Sequence, residues 1–141
     1  MAAGHLLIRE YYACFNERRF ADAADLFTSD AVLVSPLFGT LNNGGNGYVQ
    51  LAELWVNAFP DAKVRIGHVE QRGDTICEVD LVFTGTHTGD LNLPDHGVFT
   101  ARGGATTLKL VEVLEIRARK ITYSSVTFDV ADLIRQVSRK A

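Results

Sequence analysis

The sequence predicts an α+β fold, a curved antiparallel sheet with three N-terminal helices over its concave face and a short C-terminal helix. Three observations point there. Apolar residues recur at helical spacing in the N-terminal part, interrupted by one short strand pattern. Period-two alternation then runs through most of the remainder, and helical spacing returns only at the end.

The elements follow in order. "HLLIREYYACFNERR" sets Leu7, Ile8, Tyr11, Tyr12 and Phe15 on one helical side with charge opposite. "RFADAADLF" makes a second, short helix with Phe20, Ala23, Ala24 and Phe27 together. "SDAVLVSPL" is a short buried strand ended by Pro36, and the glycines and asparagines of "GTLNNGGNG" predict a loop. A third helix from Tyr48 to Phe59 aligns Tyr48, Leu51, Ala52, Trp55 and Phe59 before Pro60 stops it. "KVRIGHVEQ" and "TICEVDLVFTGTH" form a hairpin around "RGD", and "LNLPDHG" is expected to be a loop. "ATTLKLVEVLEI" and "ITYSSVTF" form a second hairpin around "RARK", and "DVADLIRQV" closes the chain as a helix.

Length and composition restrict the function classes. A chain of 141 residues suits one domain, 1–141, with a single substantial core. Its 47% hydrophobic and 22% charged residues are those of a globular protein, not of a disordered or fibrous one. A net charge of −3 gives no basic surface for nucleic acid or an anionic membrane, and the cluster Arg117 to Lys120 reads as a solvated turn. Cys14 and Cys77 belong to no CxxC and have no paired histidines nearby, so no metal site is expected and a reduced cytoplasmic location is. Apolar runs fall far short of the roughly 18 residues of a membrane helix, and charges arrive too early for a secretory signal.

A curved sheet under helices leaves a hollow, and its polar groups should show as breaks in apolar strand faces. In "LKLVEVLEI", Leu108, Leu110, Leu114 and Ile116 share a face with Glu112. A bulge or a wetter face would turn this carboxylate outward. The opposite face, with Lys109, Glu115 and Arg117, is the more charged, which favours Glu112 inward. An inward, dry carboxyl should have a pKa above the reference of about 4.3 and could carry a proton near neutral pH. His87 continues the apolar face of Cys77, Val79, Leu81 and Phe83 at a pocket rim, either bonded to backbone or assisting catalysis. Asp129, with Asp132 three positions on, reads first as a helix N-cap. Trp55, Phe59, Phe27 and Phe15 are core residues that can also line a ligand site.

Nearly the whole chain, from "REYYACFNERRFADAADLFTSDA" through "AFPDAKVRI" and "RGDTICEVDLVFTGTHTGDL" to "RKITYSSVTFDVADLIRQV", resembles SnoaL-like proteins of the nuclear transport factor 2-like superfamily. The ordered "FPD", "GTHTG" and "KI…D…L..Q" elements carry the resemblance. It implies a cone-shaped α+β barrel with a deep pocket, a homodimer, and cofactor-free chemistry on a small hydrophobic molecule. In aldol-cyclising members the acid/base aspartate matches Val126, a glutamine and a histidine match Leu110 and Glu112, and an asparagine falls about Leu33 to Ser35. The cyclase set is thus mostly replaced by apolar residues.

Two functions follow as expectations. The first is a cofactor-independent acid/base enzyme, of cyclase, isomerase or dehydratase type, with Glu112 and His87 as catalytic candidates. Trp55, Phe59, Phe27, Phe15, Leu110, Val126 and Asp129 are its candidate substrate-binding residues. The second is a non-catalytic ligand-binding or accessory domain, favoured by Val126. A plain dimerisation module built through the outer sheet face is a weaker third.

Overall fold

The structure, a computed structural model, describes residues 2–138, with side chains from His5 onward. Residue 1 and residues 139–141 of the expected domain lie outside this range. The elements are α1 (Ala2–Asn16), α2 (Phe20–Ala24), β1 (Phe27–Ser35), β2 (Gly39–Leu41), α3 (Gly45–Ala58), β3 (Lys63–Arg72), β4 (Ile76–Thr86), β5 (Leu91–Leu93), β6 (Gly97–Phe99), β7 (Ala105–Arg117), β8 (Lys120–Thr127) and α4 (Val130–Ser138).

A six-stranded sheet in the order β2-β1-β8-β7-β4-β3 forms the frame, and β5 and β6 pair separately. All neighbours in it are antiparallel except β1, which joins β8 in parallel. The alternation of β4 is realised as buried Cys77, Val79, Leu81 and Phe83 between exposed or half-buried neighbours. β7 behaves likewise, burying Leu108, Leu110, Glu112 and Leu114. Against this face α1 turns Leu7, Ile8, Tyr11, Tyr12 and Phe15, while Leu6, Arg9 and Glu10 stay in solvent. Burying such side chains stabilises by about 1.5–3 kcal/mol each. At the end of α1 the Asn16 amide donates to the Val64 carbonyl at 2.9 Å and accepts from the Val64 N–H at 2.8 Å, tying the helix to β3.

Four local expectations need correction. "GTLNNGGNG" is not only a loop, because it supplies β2 and the start of α3, three residues ahead of the expected Tyr48. "LNLPDHG" is the core of the β5–β6 hairpin, whose Leu91 and Leu93 are buried beside the end of the sheet. Three-residue strands carry too little alternation to be seen. β1 pairs in parallel, a relation between distant segments that no local pattern encodes. Ile116 falls at a register shift between Glu115 and Ile116 and is only half-buried, whereas Ile121 and Ser124 on the facing strand are both buried. A bulge changes which side chains face the core.

The "GTHTG" stretch has a steric basis. A Cβ at Gly85 would lie 2.8 Å from the Phe59 Cβ, and one at Gly89 would lie 1.9 Å from the Asn57 carbonyl oxygen. The Gly89 N–H instead donates to the Ala58 carbonyl at 3.0 Å, seating the β4–β5 connection on the end of α3. At the open edge of β7, beyond the reach of β8, the Gln136 amide of α4 accepts from the Thr107 N–H at 2.9 Å and donates to its carbonyl at 2.8 Å. No helix of the described residues is long and apolar enough to cross a membrane.

Candidate active site

Between α1, α3 and the concave face of the sheet lies a cavity of about 100 Å³. A water needs roughly 10–15 Å³ measured this way, so the space holds several waters or a small organic ring. Its walls come from helices and strands alike: Tyr11, Tyr12 and Phe15 of α1, Tyr48, Leu51 and Trp55 of α3, Leu33, Val34 and Ser35 of β1, Leu81 and Phe83 of β4, Leu110 and Glu112 of β7, and Ser124 and Val126 of β8. Ala52, Val64 and Phe128 complete the lining. No lysine, arginine or histidine is among these residues, so Glu112 has no counter-charge in the wall.

Glu112 is 3% exposed and hydrogen-bonded by three hydroxyls. Tyr12 donates to Oε1 at 2.6 Å, while Tyr11 at 3.1 Å and Ser124 at 2.5 Å donate to Oε2. Each donor follows from local geometry. Adjacent positions on a helix lie 100° apart, so Tyr11 and Tyr12 straddle the inward side of α1 and reach the carboxyl from two directions. Ser124 sits on the neighbouring strand, where Leu114 is its direct partner and Val126 faces Glu112. Burial without a cation raises the Glu112 pKa, the bonds from Ser124, Tyr12 and Tyr11 pull it back, and burial prevails. Burial, reinforced by the nearby carboxylate, holds the Tyr11 and Tyr12 hydroxyls protonated far beyond the usual tyrosine range.

The sequence-derived candidates divide into three groups. Glu112, Trp55, Phe15, Leu110 and Val126 all line the cavity. Phe59 and Phe27 do not. Phe59 lies behind Trp55, packed on Phe83 at 5.3 Å and on the His87 ring at 5.5 Å, and Phe27 packs on Tyr11 and Tyr48 at 5.6 Å. His87 and Asp129 are away from the cavity wall. His87, expected at the rim, is 1% exposed behind Phe59, its backbone bonded to Gly103 and Gly104 and its ring nitrogens without a partner among the described residues. Asp129 caps α4, its Oδ1 accepting from the Asp132 N–H at 3.0 Å.

Tyr11, Tyr12, Tyr48, Ser35 and Ser124 were not singled out as site residues from the sequence. Tyrosines at helical spacing are indistinguishable from core aromatics until their partner is known. The signal that existed was a pair of phenols, Tyr11 and Tyr12, on the buried side of a helix, since a buried tyrosine hydroxyl usually needs a partner. Among the described residues no group of three or more His, Cys, Asp or Glu side chains is placed to hold a metal ion.

Solved structures with the same fold are numerous. A candidate polyketide cyclase from Xanthomonas campestris pv. campestris superposes with a TM-score of 0.83 at 19% identity, covering 97% of this chain and 98% of that one. TerC, co-crystallised with polyporic acid, gives 0.77 at 19% identity, covering 97% and 99%. A protein of ketosteroid isomerase-like fold from Catenulispora acidiphila, in complex with trimethylamine, gives 0.75 at 15% identity, covering 93% and 91%. At these identities the likeness establishes the fold alone. No curated protein matches the chain significantly. The family model of SnoaL-like polyketide cyclases matches residues 5–137, which includes every wall of the cavity, and the chain therefore belongs to the SnoaL-like polyketide cyclase family.

Proposed function

We propose that this protein is a cofactor-independent acid/base catalyst acting on a small hydrophobic carbonyl or polycyclic compound, with Glu112 as the proton carrier. The observation that carries this reading is a solitary, uncompensated carboxyl in the wall of an apolar cavity. A carboxylate offers about four acceptor directions. Three are taken by hydroxyls, two of them on Oε2, which leaves capacity on Oε1 for a proton from a guest. The hydroxyls hold the carboxyl in one orientation, and its raised pKa makes it a stronger base when ionised than an ordinary glutamate. His87, behind Phe59, takes no part in this scheme. The small ligands crystallised with TerC and with the C. acidiphila protein support small-molecule binding by this fold.

The test needs no natural substrate. Exchange of the α-hydrogens of 1-indanone in D2O, followed by proton NMR, should be faster with protein than with buffer. Glu112→Gln keeps size but cannot carry the proton, and should lower the protein-dependent rate by roughly 10²–10⁴-fold. Equal rates in the two proteins would rule out Glu112 as the carrier.

A second reading, a ligand-binding or accessory domain without catalysis, is favoured by Val126. This residue lines the cavity opposite Glu112 at the position matching the cyclase aspartate. It predicts that 1-indanone binds while its α-hydrogens exchange no faster than in buffer.

A further inference from the structure

Trp55 holds the one side-chain nitrogen among the described residues of the cavity wall. An indole N–H can only donate, and a sheltered one usually finds an acceptor. The hydroxyls of Tyr11, Tyr12 and Ser124 are spent on Glu112, and the Tyr48 hydroxyl is sealed without a partner. The Trp55 N–H also bonds to none of the described residues, but the residue is half-buried and its nitrogen is not enclosed. A guest can therefore reach this donor.

Packing fixes where the ring lies. Trp55 follows Leu51 by one turn on the inward side of α3. Its ring lies 5.1 Å from that of Phe83 on β4, stacks on Phe59 at 6.2 Å and meets Phe128 edge-on at 5.7 Å. The indole thus reaches from helix to sheet, and its accessible edge belongs to the cavity and not to the outer side of α3. Leu51, Trp55, Val126 and Phe128 are half-buried wall residues, and they mark a mouth where α3 meets the end of β8. With no lysine, arginine or histidine in the wall, nothing offsets the cost of desolvating an anion there. We propose that the Trp55 N–H anchors the guest at this mouth by donating to a neutral acceptor, the carbonyl oxygen of a compact cyclic ketone, lactone or quinone. The apolar body of the guest then lies over Val126 toward Glu112. This rests on the cavity being a small-molecule site, as in the proposed function, but not on its being catalytic.

Because Trp55 is the only tryptophan, its indole N–H gives a single side-chain signal in the 1H–15N spectrum of the labelled protein. That signal is followed while 1-indanone, indane or indane-1-carboxylate is added. The two neutral probes share one aromatic ring, so the difference between them isolates the carbonyl. The ketone should move the indole proton downfield of its position with indane, and should bind up to about tenfold tighter, the value of one good hydrogen bond. The carboxylate should bind more weakly than either. In Trp55→Phe the ketone preference should fall to about one while indane still binds, which also shows that the variant is folded. An indole proton that responds alike to ketone and hydrocarbon, a carboxylate that binds tighter than the ketone, a preference that survives Trp55→Phe, or no binding of 1-indanone would each overturn the assignment. Should the variant bind neither probe, the wild-type indole shift decides. The two proposals fail separately. A ketone-specific indole shift without α-hydrogen exchange keeps the anchor and removes the catalyst. Exchange dependent on Glu112 without a ketone-specific shift does the reverse.

Discussion

At the scale of single residues, the proposed chemistry depends on how burial and hydroxyl contacts compete over the proton of Glu112. Desolvation favours the neutral acid, and the three donated hydrogen bonds favour the carboxylate. Because the base form must be ionised, the rate of 1-indanone exchange should rise with pH through an inflection above about 4.3, the ordinary glutamate value. Tyr12→Phe removes the 2.6 Å bond that helps to stabilise the charge and should move the inflection further up. An inflection at or below the ordinary value, or one that Tyr12→Phe lowers, contradicts this account of Glu112. Alternation alone placed Glu112 on the buried face of its strand, because β7 stays regular from Leu108 to Leu114. His87 lay beyond the end of its strand, where alternation no longer says what a side chain meets. Its apolar surroundings were legible, but Phe59 standing between it and Trp55 was not.

Strands of ordinary length were readable and three-residue strands were not. The ten or more residues of β3, β4 and β7 repeat their alternation enough to be recognised, whereas β2, β5 and β6 have three residues each. The β7–β8 connection shows how context overrides local preference. Ala118 and Arg119 both take positive φ, 50° and 64°, as a two-residue hairpin requires, although neither is glycine or asparagine. The close seat of the β4–β5 connection on α3 gives a test at this scale. Gly89→Ala places a methyl group against the Asn57 carbonyl and should destabilise by about 1–3 kcal/mol, read as a lower midpoint in urea. A midpoint equal to that of wild type would show that the connection yields without cost.

For the whole molecule, the site exists only because distant segments converge. Tyr11 and Glu112 are joined by a hydrogen bond across 101 positions of sequence. The buried carboxyl then couples folding to pH. In the unfolded chain Glu112 titrates near 4.3, and in the fold its pKa is higher. Between the two values the folded chain holds a proton that the unfolded chain has released. Stability from this group is therefore complete below the unfolded value and is lost as pH rises through the folded one. Glu112→Gln does not titrate, so its melting temperature relative to wild type should climb as pH rises from about 4.3 through the raised folded value and then level off. A difference that stays flat with pH would show that folding leaves the carboxyl's pKa unchanged, and one that falls would show the carboxyl stabilised as an anion, and either contradicts a raised pKa. The chain's single tryptophan, Trp55, lines the cavity, so its fluorescence offers an independent report of occupancy.

The sequence by itself determined the order of the helices and the longer strands, most of the apolar face of each, and the presence of one carboxylate on an apolar strand face. These are properties of periodicity, written in neighbouring residues. Only the tertiary structure decided which groups surround that carboxylate. Tyr11, Tyr12 and Ser124 reach it, and His87 and Asp129 do not. Hydrogen bonds and desolvation act over a few ångströms in space, and the separations that set them arise from helix placement, parallel pairing of β1 with β8 and a bulge in β8 opposite Glu115 and Ile116.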